Sequence, residues 1–123
     1  MTELRKESNK NIGMQKERLA AAYLCGNGYR ILEANYRCRQ GEIDLIARDN
    51  DVLVFVEVKY RSGYSFGTAA EAVDRKKQRR ICYAAKHYLM KKKICWDQPV
   101  RFDVVAITAE KIQVIQNAFS YME

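Results

Sequence analysis

Apolar and polar residues alternate most regularly between Gly41 and Lys59. Two arms, Gly41–Asp49 and Val52–Lys59, are dense in Val, Ile, Leu and Phe. Asp49-Asn50-Asp51 joins them, the composition of a hairpin with a tight polar turn. With a two-residue turn at Asn50-Asp51, Asp49 faces Val52 and Arg48 faces Leu53. The same count brings Asp44 opposite Glu57 and Glu42 opposite Lys59. Side chains alternate faces along a strand. One face then carries Ile43, Leu45, Ala47, Val52, Val54, Val56 and Val58. The other carries Glu42, Asp44, Ile46, Arg48, Leu53, Phe55, Glu57 and Lys59. A slip of one residue would move Glu42 and Asp44 onto the valine face, so the parity is better specified than the turn type.

On either side the period lengthens. From about Asn9 to Cys25, Ile12, Leu19, Ala20, Tyr23 and Leu24 recur at helical spacing, and Gly26 and Gly28 end the run. Residues 1–8 are polar and are expected to be flexible, leaving residues 9–123 as a single domain. Tyr29 to about Arg39 reads as a less regular strand in which Asn35 marks a bulge or bend. Beyond Lys59, Tyr60-Arg61-Ser62-Gly63-Tyr64-Ser65-Phe66-Gly67 is a loop placed to hang over the polar face of the hairpin. Thr68-Ala69-Ala70-Glu71 is a capping-box pattern. The helix it opens runs to about Lys92, with a break near Asp74, and buries Val73, Ile81, Ala84, Ala85, Tyr88 and Leu89. Lys77 falls on that stripe and must reach the surface or meet an acid. Pro99 precedes a strand from Val100 to about Thr108, in which Asp103 requires a partner such as Arg101 or a helix lysine. Residues 112–115 fit a short edge strand, and Asn117–Met122 a terminal helical turn. The single histidine, His87, reads as a surface or boundary residue.

Composition narrows the class. A chain of 123 residues, 48% hydrophobic, supports one domain with one core. No apolar run approaches the roughly 20 residues of a membrane span, and Met-Thr-Glu-Leu-Arg-Lys lacks the apolar core of a signal peptide. Cys25, Cys38, Cys82 and Cys95 are too widely spaced for a zinc or redox motif. They read as reduced thiols of a cytoplasmic protein. The net charge of +7 points to a polyanionic partner, most simply nucleic acid. Arg37, Arg61, Arg75, Lys77, Arg79 and Arg80 are the candidate phosphate contacts; a solvated basic face is the plainer alternative.

The chemistry lies in the opposed acids. Cβ atoms of directly paired residues sit about 4.5–5.5 Å apart. There, two carboxylates repel by roughly 3 kcal/mol at an effective dielectric near 20. A bound cation, a shared proton or Lys59, two residues on, would offset this. Two carboxylates and a lysine beside a hard divalent cation suit phosphodiester hydrolysis. Glu17 lies at the edge of the first helix's apolar stripe, where it can turn to solvent or inward to a polar site.

Together the segments Asn35-Tyr36-Arg37, Gly41-Glu42-Ile43-Asp44-Leu45-Ile46, Val54-Phe55-Val56-Glu57-Val58-Lys59-Tyr60-Arg61, Phe66-Gly67, Lys77 with Arg80-Ile81, and Arg101-Phe102-Asp103-Val104-Val105 resemble the YraN-like family of small bacterial proteins. That family resembles a branch of the restriction-endonuclease-like nucleases, near the Holliday-junction resolvases, whose signature is an Asp, a spacer and Glu-x-Lys. Asp44 and Glu57-Val58-Lys59 match it. Glu17 matches the family's acid on the first helix, although Lys16 stands where a glycine is usual and Ile43 where the superfamily's proline would be. The resemblance implies an α/β fold, a mixed central β-sheet flanked by helices in the order α-β-β-β-α-β. It implies a Mg²⁺- or Mn²⁺-dependent, structure-selective endonuclease acting on DNA, branched DNA included. Asp44, Glu57 and the Val58 carbonyl would hold metal, with Glu17 and Lys59 as further catalytic residues. Resolvase relatives act as dimers, so a homodimer follows by analogy. The alternative is a nucleic-acid-binding module that keeps the fold without cleaving.

Overall fold

A computed structural model describes residues 3–61, 73–109 and 111–121, with side chains from residue 12 onward. Its elements in chain order are α1 (Glu3–Gly26), β1 (Arg30–Cys38), β2 (Gly41–Asp49), β3 (Val52–Tyr60), α2 (Arg75–Lys91), β4 (Val100–Ile107) and β5 (Ile112–Phe119). The strands form one mixed sheet in the order β1-β2-β3-β4-β5. Only β3 and β4 run parallel, and α2 makes their crossover. The architecture is α/β: among the described residues a five-stranded mixed sheet lies between two helices, consistent with a restriction-endonuclease-like fold. The expected loop over 62–67 and the capping box at Thr68–Glu71 lie outside the described residues.

The sheet buries apolar side chains on both faces, which is why β3 and β4 are nearly continuous in Val, Phe and Ala. On one face Ala20 and Leu24 of α1 pack with Leu45, Ala47, Val54, Val56 and Val105. On the other Ile81, Ala84, Ala85 and Tyr88 of α2 pack with Ile46, Phe55, Phe102 and Val104. The stripe expected on α2 is the buried one. On α1 only its C-terminal half is: Ala20 and Leu24 are buried, whereas Ile12 and Leu19 are exposed. Leu19 stands about 100° round the helix from Ala20, too far to share its contact with the sheet.

The helix ends follow their local chemistry. Asp74 caps α2, its Oδ1 accepting from the Lys77 amide at 2.8 Å. Gly28 takes φ +90° directly after α1. Gly41 opens β2 where α2 crosses it: a Cβ at that position would lie 2.3 Å from the Arg80 carbonyl oxygen. No larger residue fits unless the β1–β2 turn moves off the helix.

Two expectations are corrected, and the expected bend at Asn35 explains the first of them. Ile43 shares the α2 face with Ile46 and Tyr36, not the α1 face with Leu45. Asn35 has φ +55° and interrupts the β1–β2 pairing between Ala34↔Leu45 and Tyr36↔Ile43. The two strands change phase together at Asn35 and Asp44, so strict alternation fails there. Asn117–Phe119 is strand rather than a helical turn. Asn117, at φ +54°, accompanies a register shift opposite Asp103 that lets β5 continue to Phe119. His87, exposed as expected, has a partner that was not foreseen: its Nδ1 hydrogen-bonds to the Tyr36 hydroxyl.

Candidate active site

The hairpin register holds from Asp49↔Val52 through Leu45↔Val56 and then stops. Beyond that point β2 stays with β1 as far as Gly41, while β3 stays with β4 as far as Tyr60. The strands part like the arms of a wedge, and Asp44 and Glu57 are the first residues past the split. They are neighbours, as the count predicts, but across an opening rather than a ladder rung. The amide of Val58, which has no β2 carbonyl in front of it, donates instead to Asp44 Oδ2 at 2.8 Å. Glu42 is therefore not opposite Lys59: it pairs with Arg37 on β1, 3.3 Å away, and Lys59 lies beside Ala106 on β4.

The wedge forms a cleft of about 370 Å³. Glu42, Asp44, Glu57 and Val58 line it from the sheet, Lys16 and Glu17 from α1, and Lys77 from α2. Glu17 thus turns inward, and Asn35 Nδ2 holds its Oε2 at 2.9 Å. The bend in β1 that breaks the pleat is also what fixes this carboxylate. Lys16 extends over the Tyr60 ring, 4.3 Å from its centroid.

Burial dominates the electrostatics. It pushes Glu57 up from 4.5 to about 7, reinforced by the charge of Asp44, while Lys77 and then Lys59 pull the other way. Asp44 rises from 3.8 to about 6 for the same first reason, opposed by the Val58 hydrogen bond and raised further by Glu17. Glu57 is only 5% exposed. Lys77 Nζ lies 3.7 Å from its Oε1, and among the described residues its buried Oε2 has no hydrogen-bond partner. A buried carboxylate oxygen that receives no donor from the protein is open to a proton, a water or a cation. Among the described residues no three His, Cys, Asp or Glu side chains converge as a ready metal cage. The donor set is two carboxylates and the adjacent backbone. That fits a hard cation which retains its own waters and binds through one or two carboxylates, as Mg²⁺ does.

A second depression, of about 400 Å³, adjoins the cleft and shares Glu42 and Lys77 with it. Arg37, Arg39 and Arg80 make its rim basic. Of the candidate phosphate contacts, the fold brings Arg37, Lys77 and Arg80 together. Arg75 and Arg79 are exposed about half a turn round α2 from Lys77. Arg61, exposed just past β3, bonds through its amide to the Ile107 carbonyl. Lys59 is half-buried outside the lining of the cleft and acts on Glu57 through its charge. Sequence reasoning missed Asn35, Lys16 and Glu42 as members of the site. Only Asn35 carried a signal, as a candidate bulge.

None of the four cysteines is in a disulfide, and among the described residues no helix is long and apolar enough to cross a membrane. The family model described as "Uncharacterised protein family UPF0102" matches residues 16–107, which include every residue of the cleft except Ile12 and Gly13. A UPF0102 protein of Lachnoclostridium phytofermentans is 52% identical over 112 residues, covering 90% of this chain and 95% of its own. One from Saccharophagus degradans is 49% identical over 111 residues, covering 90% and 94%. Another, from Alcanivorax borkumensis, is 45% identical over 117 residues, covering 91% and 94%. With a match of this extent, the chain belongs to the uncharacterised protein family UPF0102, the YraN-like proteins.

Proposed function

We propose that this protein is a metal-dependent, structure-selective endonuclease of the cytoplasm that hydrolyses phosphodiester bonds in DNA, branched DNA included. The observation that carries the reading is Glu57: a buried carboxylate with one oxygen unpartnered among the described residues, beside the half-buried carboxylate of Asp44, in a cleft that adjoins a basic depression. In this reading Asp44, Glu57 and the Val58 carbonyl hold Mg²⁺ or Mn²⁺. An ion held by these residues would supply Lewis acidity, activating water and offsetting charge on the scissile phosphate. Glu17, fixed by Asn35, orients water within the cleft. Lys77 releases Glu57 and turns its charge to the phosphate. Lys59 adds positive charge from the flank and stabilises the negative charge that develops. Arg37 and Arg80 hold the backbone on either side, with Arg61, Arg75 and Arg79 available to longer substrates.

The test is cleavage of branched and linear DNA with Mg²⁺, Mn²⁺ or EDTA, by wild type and by Asp44→Ala, Glu57→Ala and Lys59→Ala. Metal-dependent cutting that falls at least about 100-fold in the two acid variants is expected, as for loss of a principal electrostatic catalyst. Salt-sensitive binding indifferent to metal and to Glu57→Ala, with no cutting, would sink the nuclease. It would favour the alternative, a binding module without cleavage. One observation speaks for that alternative: Lys77 already gives Glu57 a counter-charge without a metal. A homodimer is the assembly suggested by the resolvase likeness, and light scattering of the free protein checks it.

A further inference from the structure

α2 departs from the usual charge pattern of a surface helix. Between Arg75 and Lys91 it contains no Asp or Glu. Its exposed face carries Arg75, Lys76, Arg79, Arg80, Tyr83 and Lys86. Arg75, Lys76 and Lys77 crowd the first turn, where the helix dipole disfavours cations. Arg75 with Arg79, and Lys76 with Arg80, are like-charge pairs at the four-residue spacing that destabilises a helix. Among the described residues the Asp74 cap and, for Lys77, the Glu57 carboxylate oppose them there. Such a face is self-repelling until an extended polyanion lies on it.

Just past the helix stands the chain's single tryptophan. Trp96 is 94% exposed, a state unusual for so large an aromatic. It rides on a braced turn. Ile94 packs into the core before it, the Gln98 amide bonds to the Cys95 carbonyl, and Gln98 Nε2 donates to the Asp51 carbonyl at 2.7 Å. Lys91, Lys92 and Lys93, all exposed, immediately precede that turn. Tyr83, also exposed, lies midway along the helix.

We infer that single-stranded nucleic acid binds along the outer face of α2, from the depression at Arg80 to Trp96, and stacks unpaired bases on Trp96 and Tyr83. The helix, at 17 residues, spans about 25 Å, enough for several nucleotides. Exposed rings beside a row of cations are the elements of single-strand binding, and a base is free to stack only when it is not already paired. An anionic membrane is the less fitting partner, because the continuous apolar stripe of α2 is consumed against the sheet and only scattered side chains, Tyr83, Met90 and Trp96, remain outside it. The inference rests on the nucleic-acid reading above, but it needs neither metal nor cleavage.

Trp96 is its own reporter. Full-length Asp44→Ala protein in EDTA is titrated with a short single-stranded oligodeoxynucleotide, its ribonucleotide equivalent, the matched duplex, and anionic phosphatidylserine vesicles. Trp96 emission is read, and anisotropy of a labelled strand gives the affinity in parallel. Quenching by single strands and not by duplex is expected, and the two single strands compared show which sugar is preferred. Trp96→Ala should weaken single-strand binding about tenfold or more while duplex affinity moves less than about twofold. Arg79→Glu with Lys86→Glu should abolish both. Single-strand binding with unchanged emission, or undiminished by Trp96→Ala, overturns the inference and leaves the nuclease reading intact. An emission change with vesicles alone replaces it with a membrane surface. No binding of any nucleic acid at low salt overturns both.

Discussion

Glu57 and Asp103 are one ladder step apart. The parallel pairing of β3 with β4 matches Val56 with Asp103 and Glu57 with Val104. Both carboxylates are buried, yet on opposite sides of the sheet they are treated in opposite ways. Asp103, 0% exposed, accepts from Arg101 Nε at 2.8 Å and Nη2 at 2.9 Å, from the Tyr29 hydroxyl at 2.7 Å and from the Asn117 amide at 2.9 Å. Arg101 is held in turn by Asp49, and Gln116 donates to the Tyr29 hydroxyl. The hydrogen bond to Asp103 is the leading reason that the Arg101 guanidinium is held above its ordinary pKa. Among the described residues Glu57 has one lysine at 3.7 Å and one oxygen with no partner. The first carboxylate is saturated with donors and ties the residue before β1 and the strand β5 to β4. The second is under-served and open to a ligand. The same residue chemistry and nearly the same depth separate into structure and site according to how many donors reach the oxygens.

The largest expected effect lies on the saturated side. Asp103→Ala would leave Arg101 and the Tyr29 hydroxyl without their main acceptor in a dry setting. The cost should be about 3–5 kcal/mol of folding stability, the usual price of removing one partner from a buried ion pair. Urea denaturation reads it directly. A loss under about 1 kcal/mol would mean that water reaches this network and that the contrast with Glu57 is one of access, not of pairing.

On the under-served side the sign reverses. A carboxyl whose pKa is higher in the folded than in the unfolded chain favours the fold at low pH. That contribution is complete below the unfolded value, about 4, and is lost as pH rises to about 6 for Asp44 and about 7 for Glu57. The metal-free protein should therefore be more stable at pH 5 than at pH 8. Glu57→Gln should remove most of the difference, gaining on the order of 2 kcal/mol at pH 8. Mg²⁺ should raise the melting temperature of wild type at pH 8 and leave Glu57→Gln unmoved. A pH-independent melting temperature would show that Lys77 alone neutralises Glu57, which is the arrangement of a binding module.

Much of this pairing was legible in advance, and the gaps have physical causes. From Leu45 to Asp49 and Val52 to Val56 the apolar alternation specifies the register unambiguously, and the ladder follows it. Lys77 on an apolar helix stripe had to reach the surface or meet an acid, and it meets Glu57; Asp103 needed a partner, and it has Arg101. The wedge was not legible, because whether β2 and β3 stay together beyond Leu45 depends on what β1 and β4 offer each of them. Nor was the full network around Asp103. Tyr29 lies 74 residues away from it in the chain, and local periodicity carries no information at that range. Gly41 could be placed at the start of a strand but not recognised as the point where α2 touches the sheet. Gly41→Ala brings a methyl against the Arg80 carbonyl and should cost about 1–3 kcal/mol, as overpacking does. It should also loosen the basic rim enough to weaken oligonucleotide binding. Unaltered stability by denaturation would mean that the β1–β2 turn shifts freely, and that the rim has no fixed geometry.

The smallest effect on stability is expected where the two kinds of region meet. Asn35 shapes the backbone, through φ +55°, and serves the site, through its hydrogen bond to Glu17. Glycine and alanine separate the two roles. Asn35→Gly keeps the left-handed conformation without strain and removes only an exposed hydrogen bond, so stability should change by less than about 1 kcal/mol. Asn35→Ala removes the same bond and adds roughly 1–2 kcal/mol of left-handed strain. If Asn35 matters chiefly as a strand bend, the glycine variant will cleave or bind like wild type and only the alanine variant will suffer. If it matters as the positioner of Glu17, both variants should lose activity to about the level of Glu17→Gln, and adding Glu17→Gln to Asn35→Gly should cost nothing more. That non-additivity, read in a double-mutant cycle, would place the bend in β1 with Glu57 on the side of function. Additive losses would return it to the side of Asp103, as architecture.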